Sequence, residues 1–285
     1  MLRTLAALLF LSIAAQAAPR AVIADPPPDK AHPAAMKYVR IPSHGALLNG
    51  VLYTASGAGA HPAMLFLHGF PGNEQNLDLV QAVRRAGFTV LTLHYRGSWG
   101  SPGTFSFTHC IEDSDAAVSF LRSRAGALHI DPARVFVAGH SMGGFMAASA
   151  AAHEPTVAGL IMISAWDIGQ DGAKFHNKAF RQKQLDEEFR DDVIPLAGTS
   201  ADALMDEAMT NARDWDFAGW APQIGQRPVL LVSARDGSQA DAHRLAQALA
   251  LNNNHASEIH MATDHPYSDH RIALESAVID WLAKH

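Results

Sequence analysis

Cysteine is almost absent from the 285-residue chain, which contains only Cys110. No internal disulfide can form, so the folded state must be stabilised by a buried core, in which Cys110 serves as a small apolar residue. The sequence also lacks a block of Lys and Arg residues, and its formal net charge is −6 with neutral histidines. These features argue against a nucleic-acid partner and against binding to an anionic membrane.

Long apolar runs are missing as well. The run at residues 5–15 falls short of the roughly 20 residues that a membrane-spanning helix needs. It follows Arg3 and precedes small residues, which is the pattern of a secretory signal peptide over residues 1–17. We therefore expect an exported protein, periplasmic or secreted, without stable membrane insertion. The proline-rich residues 18–35 predict an extended leader.

The rest of the chain alternates between two patterns. Short apolar runs indicate strands that are buried on both faces: AMLFLHG, FTVLTLHY, RVFVAGH, LIMIS and PVLLVSA. Helical stretches lie between or after them, at residues 74–86, 111–125, 142–153 and 241–251. This order predicts one α/β domain over residues 36–285, with a mostly parallel twisted sheet and helices on both of its faces.

The two ends of this domain have their own signals. Strands at 36–41 and 47–53, with a polar turn at 42–45, predict an early pair or hairpin. A last strand near 258–262 precedes an amphipathic helix that Ser268 or Asp269 could cap.

The interval between LIMIS and PVLLV is longer than a simple crossover needs. Its aromatic residues, Trp166 among them, predict a small helical cap at about 166–220, over the carboxyl edge of the sheet where ligands of such folds bind. The alternative is a surface crossover whose aromatic side chains fill a small core of their own. Trp166 and Tyr95 are the candidate substrate-binding residues, although a buried structural role is also open for Tyr95.

A serine stands between two glycines in the segment Gly139-His140-Ser141-Met142-Gly143. Gly-x-Ser-x-Gly alone is a weak signal, but here it follows a buried strand and opens a helix. That context holds a nucleophilic serine in a strained, exposed turn. Strand and helix cross closely there, so a Cβ on Gly139 or Gly143 would clash. The Met142 N–H lies at the helix start, where a developing anion is favoured.

These motifs resemble the α/β-hydrolase superfamily over residues of about 45–285. GHSMGG is similar to its nucleophile elbow, and FLHGFPG is similar to its oxyanion loop. LHYRGSWGSPGTFSF and TDHPYSDHRIALESAVIDWL further resemble the branch of dienelactone hydrolases, feruloyl-type esterases and the catalytic domain of prolyl oligopeptidases. The resemblance implies that the backbone N–H groups of Phe70 and Met142 form the oxyanion hole, and that His68 is structural.

In this fold the triad follows the order serine, acid, histidine. Asp236 comes just past a late strand and is the expected acid, with Asp241 as its rival. His265 directly follows the last strand and is the expected base, with His270 as its rival. Ser141 would then be the nucleophile, activated by His265 and oriented through Asp236.

The sequence therefore predicts a serine hydrolase that cleaves carboxylic esters through an acyl-enzyme, without a cofactor. Its partner would be a small ester or a short acyl or peptidyl substrate. The 16 histidines are scattered and form no metal motif, so no metal site is expected. Two alternatives stay open. One is a peptidase or amidase similar to prolyl oligopeptidases, and the other is a non-catalytic binding protein with a hydrolase fold.

Overall fold

The computed structural model of the protein describes residues 17–285. Eight strands form one sheet in the order β1-β2-β4-β3-β5-β6-β7-β8. Their bounds are β1 Ala35–Ser43, β2 Ala46–Thr54, β3 His61–Leu67, β4 Thr89–Leu93, β5 Ile130–His140, β6 Gly159–Ile163, β7 Val229–Ser233 and β8 Ser257–His260. The pairs β1–β2 and β2–β4 are antiparallel, and the other neighbouring pairs are parallel. The predicted α/β class with a mostly parallel sheet is confirmed.

The early strand pair is a hairpin. Ser43 pairs with Ala46, so the turn consists of His44 and Gly45, both with positive φ (42° and 83°). Two-residue hairpin turns need this geometry because it matches the twist of the strands. The predicted turn at 42–45 is therefore narrower in the structure, since Pro42 already belongs to β1.

The parallel strands bury side chains on both faces, as their unbroken apolar runs predict. In β3, Leu65 and Leu67 point into one core cluster, and Met64 and Phe66 point into the cluster on the opposite face. All four are at most 1 % exposed. Burial of this kind stabilises the fold by about 1.5–3 kcal/mol for each large apolar side chain, before conformational entropy is counted.

Helices cover both faces of the sheet. Their bounds are α1 Arg20–Ile23, α2 Leu77–Arg85, α3 Phe107–Ser123, α4 Ala125–Leu128, α5 Met142–His153, α6 Ile168–Lys174, α7 Lys178–Gln184, α8 Arg190–Asp192, α9 Ala201–Thr210, α10 Ala221–Ile224, α11 Ser238–Leu251 and α12 Arg271–Leu282. Helices α3, α5 and α11 pack on one face, and α2 and α12 on the other. The predicted helix at 142–153 has the bounds of α5.

Three helix starts and one cap differ from the prediction: α2, α3 and α11 begin at residues 77, 107 and 238, where 74, 111 and 241 are predicted. Helix α3 begins ahead of the predicted residue 111 because the Ser106 hydroxyl caps it, accepting the His109 N–H at 3.1 Å. For α12, the N-cap residue is His270, which makes no side-chain cap bond. The predicted caps Ser268 and Asp269 lie just before it, and Asp269 accepts hydrogen bonds from Thr263 and His270 instead.

The segment between β6 and β7, residues 164–228, is called the insertion below. It contains α6 to α10, a π-helical turn at Leu185–Phe189 and a 3₁₀ turn at Phe217–Trp220. Glu207 of α9 anchors the insertion to the rest of the domain, which is called the body below. Its carboxylate accepts the N–H groups of Phe107 and Thr108 at the start of α3. This contact satisfies two unpaired helix donors and places a negative charge at the positive end of α3.

A second anchor is Arg244 of α11. Its guanidinium pairs with Asp167, which caps α6, and with Asp216, which caps the 3₁₀ turn. The Asp167 side chain is fully buried. One body residue therefore fixes the entry and the exit of the insertion at the same time.

The predicted leader is not extended throughout. Residues 20–23 form α1, and its Ala21 and Val22 pack on the cluster beneath α2 and α12. Arg85 of α2 donates to the Ala21 carbonyl at 2.5 Å. Apolar residues of the leader thus find partners that local composition does not reveal.

The predicted signal peptide at 1–17 lies outside the described residues apart from Ala17. Across residues 17–285, the helices are too short or too polar to span a bilayer.

Candidate active site

The serine turn predicted from the sequence joins β5 to α5. β5 ends at His140 and α5 begins at Met142, so Ser141 alone makes the turn. Ser141 has φ 56° and ψ −124°, a sparsely populated conformation that costs about 1–3 kcal/mol. Its N–H donates to the Ile163 carbonyl at 2.9 Å, and its carbonyl accepts the Trp166 N–H at 3.1 Å. These bonds to β6 and the residues after it hold the strained serine in place.

The flanking glycines have the steric reason that the sequence predicts. A Cβ on Gly139 would lie 2.0 Å from the carbonyl oxygen of Gly143. A Cβ on Gly143 would lie 2.0 Å from the carbonyl oxygen of Leu67 at the end of β3. Both distances are far inside van der Waals contact, so strand, helix and the loop after β3 can approach this closely only with glycine.

The predicted acid and base are brought together. His265 Nδ1 lies 2.7 Å from Asp236 Oδ2, although 29 positions separate them in the chain. An ionised carboxylate only accepts, so Nδ1 carries the proton and Nε2 presents its lone pair. Ser141 and His265 line the same cavity. Within the described chain no hydrogen bond joins the Ser141 hydroxyl to His265, a contact that often tightens only when substrate binds.

The environment of Asp236 keeps it ionised. Its side chain is 11 % exposed, and this burial alone would raise its pKa. Hydrogen bonds outweigh burial and hold the pKa well below its usual range. His265 is one donor, and Ser238 supplies two more to Oδ1, from its hydroxyl at 2.6 Å and from its N–H at 3.0 Å. A fixed negative charge therefore faces the imidazole.

The rival residues are not paired with each other or with His265. Asp241 lines the same cavity from α11, but its carboxylate faces Arg244, with an oxygen 3.5 Å from the guanidinium. His270 pairs with Asp269 at 2.8 Å, and among the described residues it is absent from the cavity lining. The geometry thus favours Asp236 and His265 over both alternatives.

The two residues expected to supply oxyanion donors lie beside the serine. Phe70 lies in the loop after β3 and lines the cavity, and Met142 is the first residue of α5. The loop passes so near the serine that a Cβ on Gly69 would lie 3.0 Å from Ser141 Cβ. Within residues 17–285 neither the Phe70 N–H nor the Met142 N–H donates to another protein group.

The cavity at Ser141 has a volume of about 600 Å³. The body provides Ser141, Asp236, His265 and Phe70. The insertion provides walls that are mostly aromatic and acidic: Trp166, Asp171, Lys174, Phe180, Gln184, Glu188, Phe189 and Asp192. Trp166 packs against Phe70 and Phe107, with ring centroids 6.4 and 5.6 Å away. Its indole N–H donates to Asp171 at 2.8 Å, which fixes the ring in the wall. The sequence-predicted residue Trp166 therefore lines this cavity.

Tyr95 does not line it. The side chain is fully buried, its ring meets His68 edge-on at 4.8 Å, and its hydroxyl donates to the His68 carbonyl at 3.3 Å. The hypothesis of a substrate contact at Tyr95 is corrected accordingly, and its structural alternative agrees with the geometry. His68 is buried too and donates from Nδ1 to the Gly69 carbonyl at 2.8 Å. Burial lowers the pKa of His68 to about 4, so it stays neutral.

Four residues near the triad carry no sequence prediction. His140 Nε2 donates to the His265 carbonyl at 3.0 Å, with the two rings 4.5 Å apart. Burial and the neighbouring His265 lower the pKa of His140 to about 3. The other three are Ser164, Ser238 and Tyr267, whose hydroxyls meet beside Asp236. His140, Ser238 and Tyr267 each lie within two residues of a predicted triad residue, whereas Ser164 is distant from all three triad residues in the sequence.

Metal ligands do not cluster in the described part of the chain, where no group of three or more His, Cys, Asp or Glu side chains could hold an ion.

Comparison with known proteins agrees with this architecture. The family model of the alpha/beta hydrolase fold matches residues 62–218, more than half of the chain. The protein belongs to the α/β-hydrolase family. This α/β-hydrolase is also 30 % identical over 130 residues to an uncharacterised protein of Mycobacterium tuberculosis. The match covers 45 % of each chain, so it spans less than half of that relative's length.

Solved structures share the fold at low sequence identity. A carboxylesterase from a metagenomic library, EstE1, has a TM-score of 0.62 at 21 % identity, covering 88 % of this chain and 90 % of that one. An esterase of Pyrobaculum calidifontis has 0.66 at 17 %, covering 88 % and 83 %. An acylaminoacyl peptidase of Pyrococcus horikoshii has 0.66 at 16 %, covering 88 % and 41 %. At these identities the likeness shows a common fold.

Proposed function

We propose that this α/β-hydrolase is a serine hydrolase that cleaves carboxylic esters through an acyl-enzyme. The observation that carries the proposal is the 2.7 Å bond between His265 Nδ1 and Asp236 Oδ2, which leaves the imidazole free to act as a base in the cavity of Ser141. The esterases among the solved structures that share the fold add support.

The first half-reaction acylates the enzyme. Ser141 Oγ attacks the ester carbonyl carbon while His265 Nε2 takes the hydroxyl proton. The carbonyl oxygen becomes an oxyanion beside the N–H groups of Phe70 and Met142, a contact worth about 2.7–4 kcal/mol for each donor. The C–O bond to the leaving group then breaks, and the proton passes from His265 to the departing alcohol.

The second half-reaction regenerates the serine. Water loses a proton to His265 and attacks the acyl carbon, and the bond from that carbon to Ser141 Oγ breaks as the proton returns to Oγ. The acid leaves the cavity. Asp236 keeps its negative charge throughout and stabilises the imidazolium that forms in each half-reaction.

A fluorophosphonate probe tests the nucleophile directly. We expect covalent label on Ser141 in the folded protein, lost in Ser141→Ala and after denaturation. Ser149→Ala is the matched control, because its hydroxyl is buried in α5 away from the cavity and lacks a hydrogen-bond partner in the structure. Absence of label on Ser141 in folded protein would rule out the mechanism.

The choice between ester and amide has its own test, because an acylaminoacyl peptidase is also among the proteins that share the fold. We expect p-nitrophenyl acyl esters to be hydrolysed faster than aminoacyl or prolyl anilides. Faster anilide turnover would assign the site to a peptidase or amidase. Ligand binding that Ser141→Ala leaves unchanged, with no turnover of either class, would instead identify a binding protein.

A further inference from the structure

Three hydroxyl groups form a chain that ends on Asp236. The Tyr267 hydroxyl lies 2.8 Å from Ser164 Oγ, which in turn lies 3.4 Å from Ser238 Oγ. Ser238 Oγ donates to Asp236 Oδ1 at 2.6 Å. All three residues are buried, with exposures of 0 % for Tyr267, 1 % for Ser164 and 9 % for Ser238.

The direction of the chain follows from proton counting. Each hydroxyl has a single proton, and the ionised carboxylate can only accept. Ser238 therefore gives its proton to Asp236 at 2.6 Å, and its longer contact with Ser164, in which Ser238 Oγ is oriented as the donor, brings no proton to Asp236. Ser164 acts on Asp236 through its own side-chain hydrogen bond, and Tyr267 can donate to Ser164. Two hydroxyls thus donate to Asp236, and in a buried site such bonds polarise one another.

The chain connects Asp236 to the loop that carries the catalytic base. Tyr267 follows His265 by two residues, and its N–H donates to the Asp264 carbonyl at 3.0 Å. Asp236 is thus tied to this loop twice. One tie is the direct bond from His265 to Oδ2, and the other runs from the Tyr267 hydroxyl through Ser164.

Backbone geometry at two members of the chain supports a built arrangement. Ser164 has φ 41° and Tyr267 has φ 59°, in the left-handed region that non-glycine residues rarely adopt. Such conformations cost free energy and persist where the surroundings over-determine them. Here the backbone turns place both hydroxyls at hydrogen-bond distance.

We propose that Tyr267, Ser164 and Ser238 are positioning residues, which hold the Asp236 carboxylate in the orientation that lets it orient His265 for proton transfer. The inference rests on the proposed function. It extends the triad by a second set of bonds to the acid, contributed by Ser164 just after β6, by Ser238 of α11 and by Tyr267 in the loop after β8.

The charged and titratable groups around His265 come from four elements. Asp236 follows β7, His140 ends β5, Glu188 belongs to the insertion, and Arg271 begins α12. His140 stays neutral at the pH of an assay because its pKa is about 3. Of these groups, only Asp236 accepts from the hydroxyl chain, so a change in the chain acts on His265 through Asp236.

The test is steady-state ester hydrolysis by Ser238→Ala, Tyr267→Phe and the double variant. A hydrogen bond to a charged group predicts a loss of kcat of about tenfold for Ser238→Ala, with KM unchanged. Tyr267→Phe should lose about threefold, because its hydroxyl acts through Ser164. The double variant should lose about thirtyfold, since Ser238 and Ser164 reach Asp236 separately. Ser238→Thr should restore most of the rate.

The pH profile separates positioning from packing. With fewer donors, the Asp236 charge acts more strongly on the imidazolium, so the acid limb of kcat/KM should move to higher pH. Tyr53→Phe is the matched control, because Tyr53 is a buried tyrosine of β2 outside the cavity lining. It should change neither kcat nor the position of the acid limb. An acid limb that stays in place or moves to lower pH, or a double variant no slower than Ser238→Ala, would overturn the proposal.

This result is distinct from a failure of the proposed function. If the wild-type protein hydrolyses no ester and takes no fluorophosphonate label, the proposed function fails and the inference falls with it. If the wild type is active but the variants match it in kcat and pH profile, only the inference fails. Thermal unfolding of each variant shows whether a loss of rate comes from loss of fold.

Discussion

The close approach of β5, α5 and the loop after β3 makes Gly143 a sensitive position. In Gly143→Ala the new methyl group would lie 2.0 Å from the Leu67 carbonyl oxygen and 2.7 Å from the His68 carbonyl oxygen. These neighbours are backbone atoms, which cannot turn away as a flexible side chain could. Relief requires a displacement of about 1 Å between α5 and the loop, because such contacts normally exceed 3 Å.

The expected cost has two parts. Overpacking of a dense core destabilises by about 1–3 kcal/mol, which for a chain of this size lowers Tm by about 3–10 °C. The same displacement moves the Phe70 N–H away from the oxyanion position, because Phe70 follows the two carbonyls in the loop. A misplacement of about 1 Å in a catalytic group lowers the rate by about 100-fold.

Thermal unfolding and ester hydrolysis measure the two parts. Gly126→Ala is the matched control: a Cβ there meets no atom within 4 Å, and the residue lies in α4. The Gly126→Ala variant should have an unchanged or slightly higher Tm, since alanine restricts the unfolded chain. If Gly143→Ala matched Gly126→Ala in both Tm and kcat/KM, the close approach that defines the serine turn would be refuted.

Three further changes follow from the same contacts. Asp236→Asn should lower kcat by about 10⁴-fold, because the amide favours the wrong imidazole tautomer, and a loss below tenfold in steady-state kinetics would contradict the assignment. Stability should fall between pH 6.5 and pH 5, where the unfolded chain binds protons at His68 and His140 that the folded chain, with pKa values of about 4 and 3, does not. The loss is about 2 kcal/mol per histidine at pH 5, measured by urea unfolding, and His140→Gln should show the smaller pH effect. Arg244→Met should cost about 3 kcal/mol in the same assay because it leaves Asp167 buried without its cation, whereas an unchanged midpoint would show that the anchor contributes little.

The parts of the fold that sequence predicts well are those fixed by local pattern. Apolar runs mark the parallel strands because both of their faces are buried, and Gly-x-Ser-x-Gly marks the turn at Ser141 because its sterics involve neighbours in the chain. His265 is separable from His270 for a similar reason. The first follows a strand directly, whereas the second enters a helix.

Contacts between residues far apart in the sequence cannot be predicted from local pattern. Glu207 caps α3 from a hundred positions away, and Arg244 joins two caps of the insertion. Neither contact produces a periodic pattern in the sequence, because each depends on how separate elements pack. The same holds for Tyr267, which looks like an ordinary loop tyrosine until the fold places its hydroxyl against Ser164. Tyr95 is the opposite case. Its position after a strand suggests a substrate contact, but residues that point into the core can occupy the same position, and Tyr95 is one of them.

The site divides into two parts with different attachments. The proposed reacting groups, Ser141, Asp236 and His265, follow β5, β7 and β8 at the carboxyl edge of the sheet, where the parallel strands bring them together. The far walls of the cavity belong to the insertion, which Glu207 and Arg244 fix to α3 and α11. Because α11 begins two residues after Asp236, its Arg244 links the walls to the helix that follows the proposed acid. We therefore expect substitutions within the walls to change which substrate fits while the proposed triad keeps its geometry, and loss of either anchor to disturb both at once.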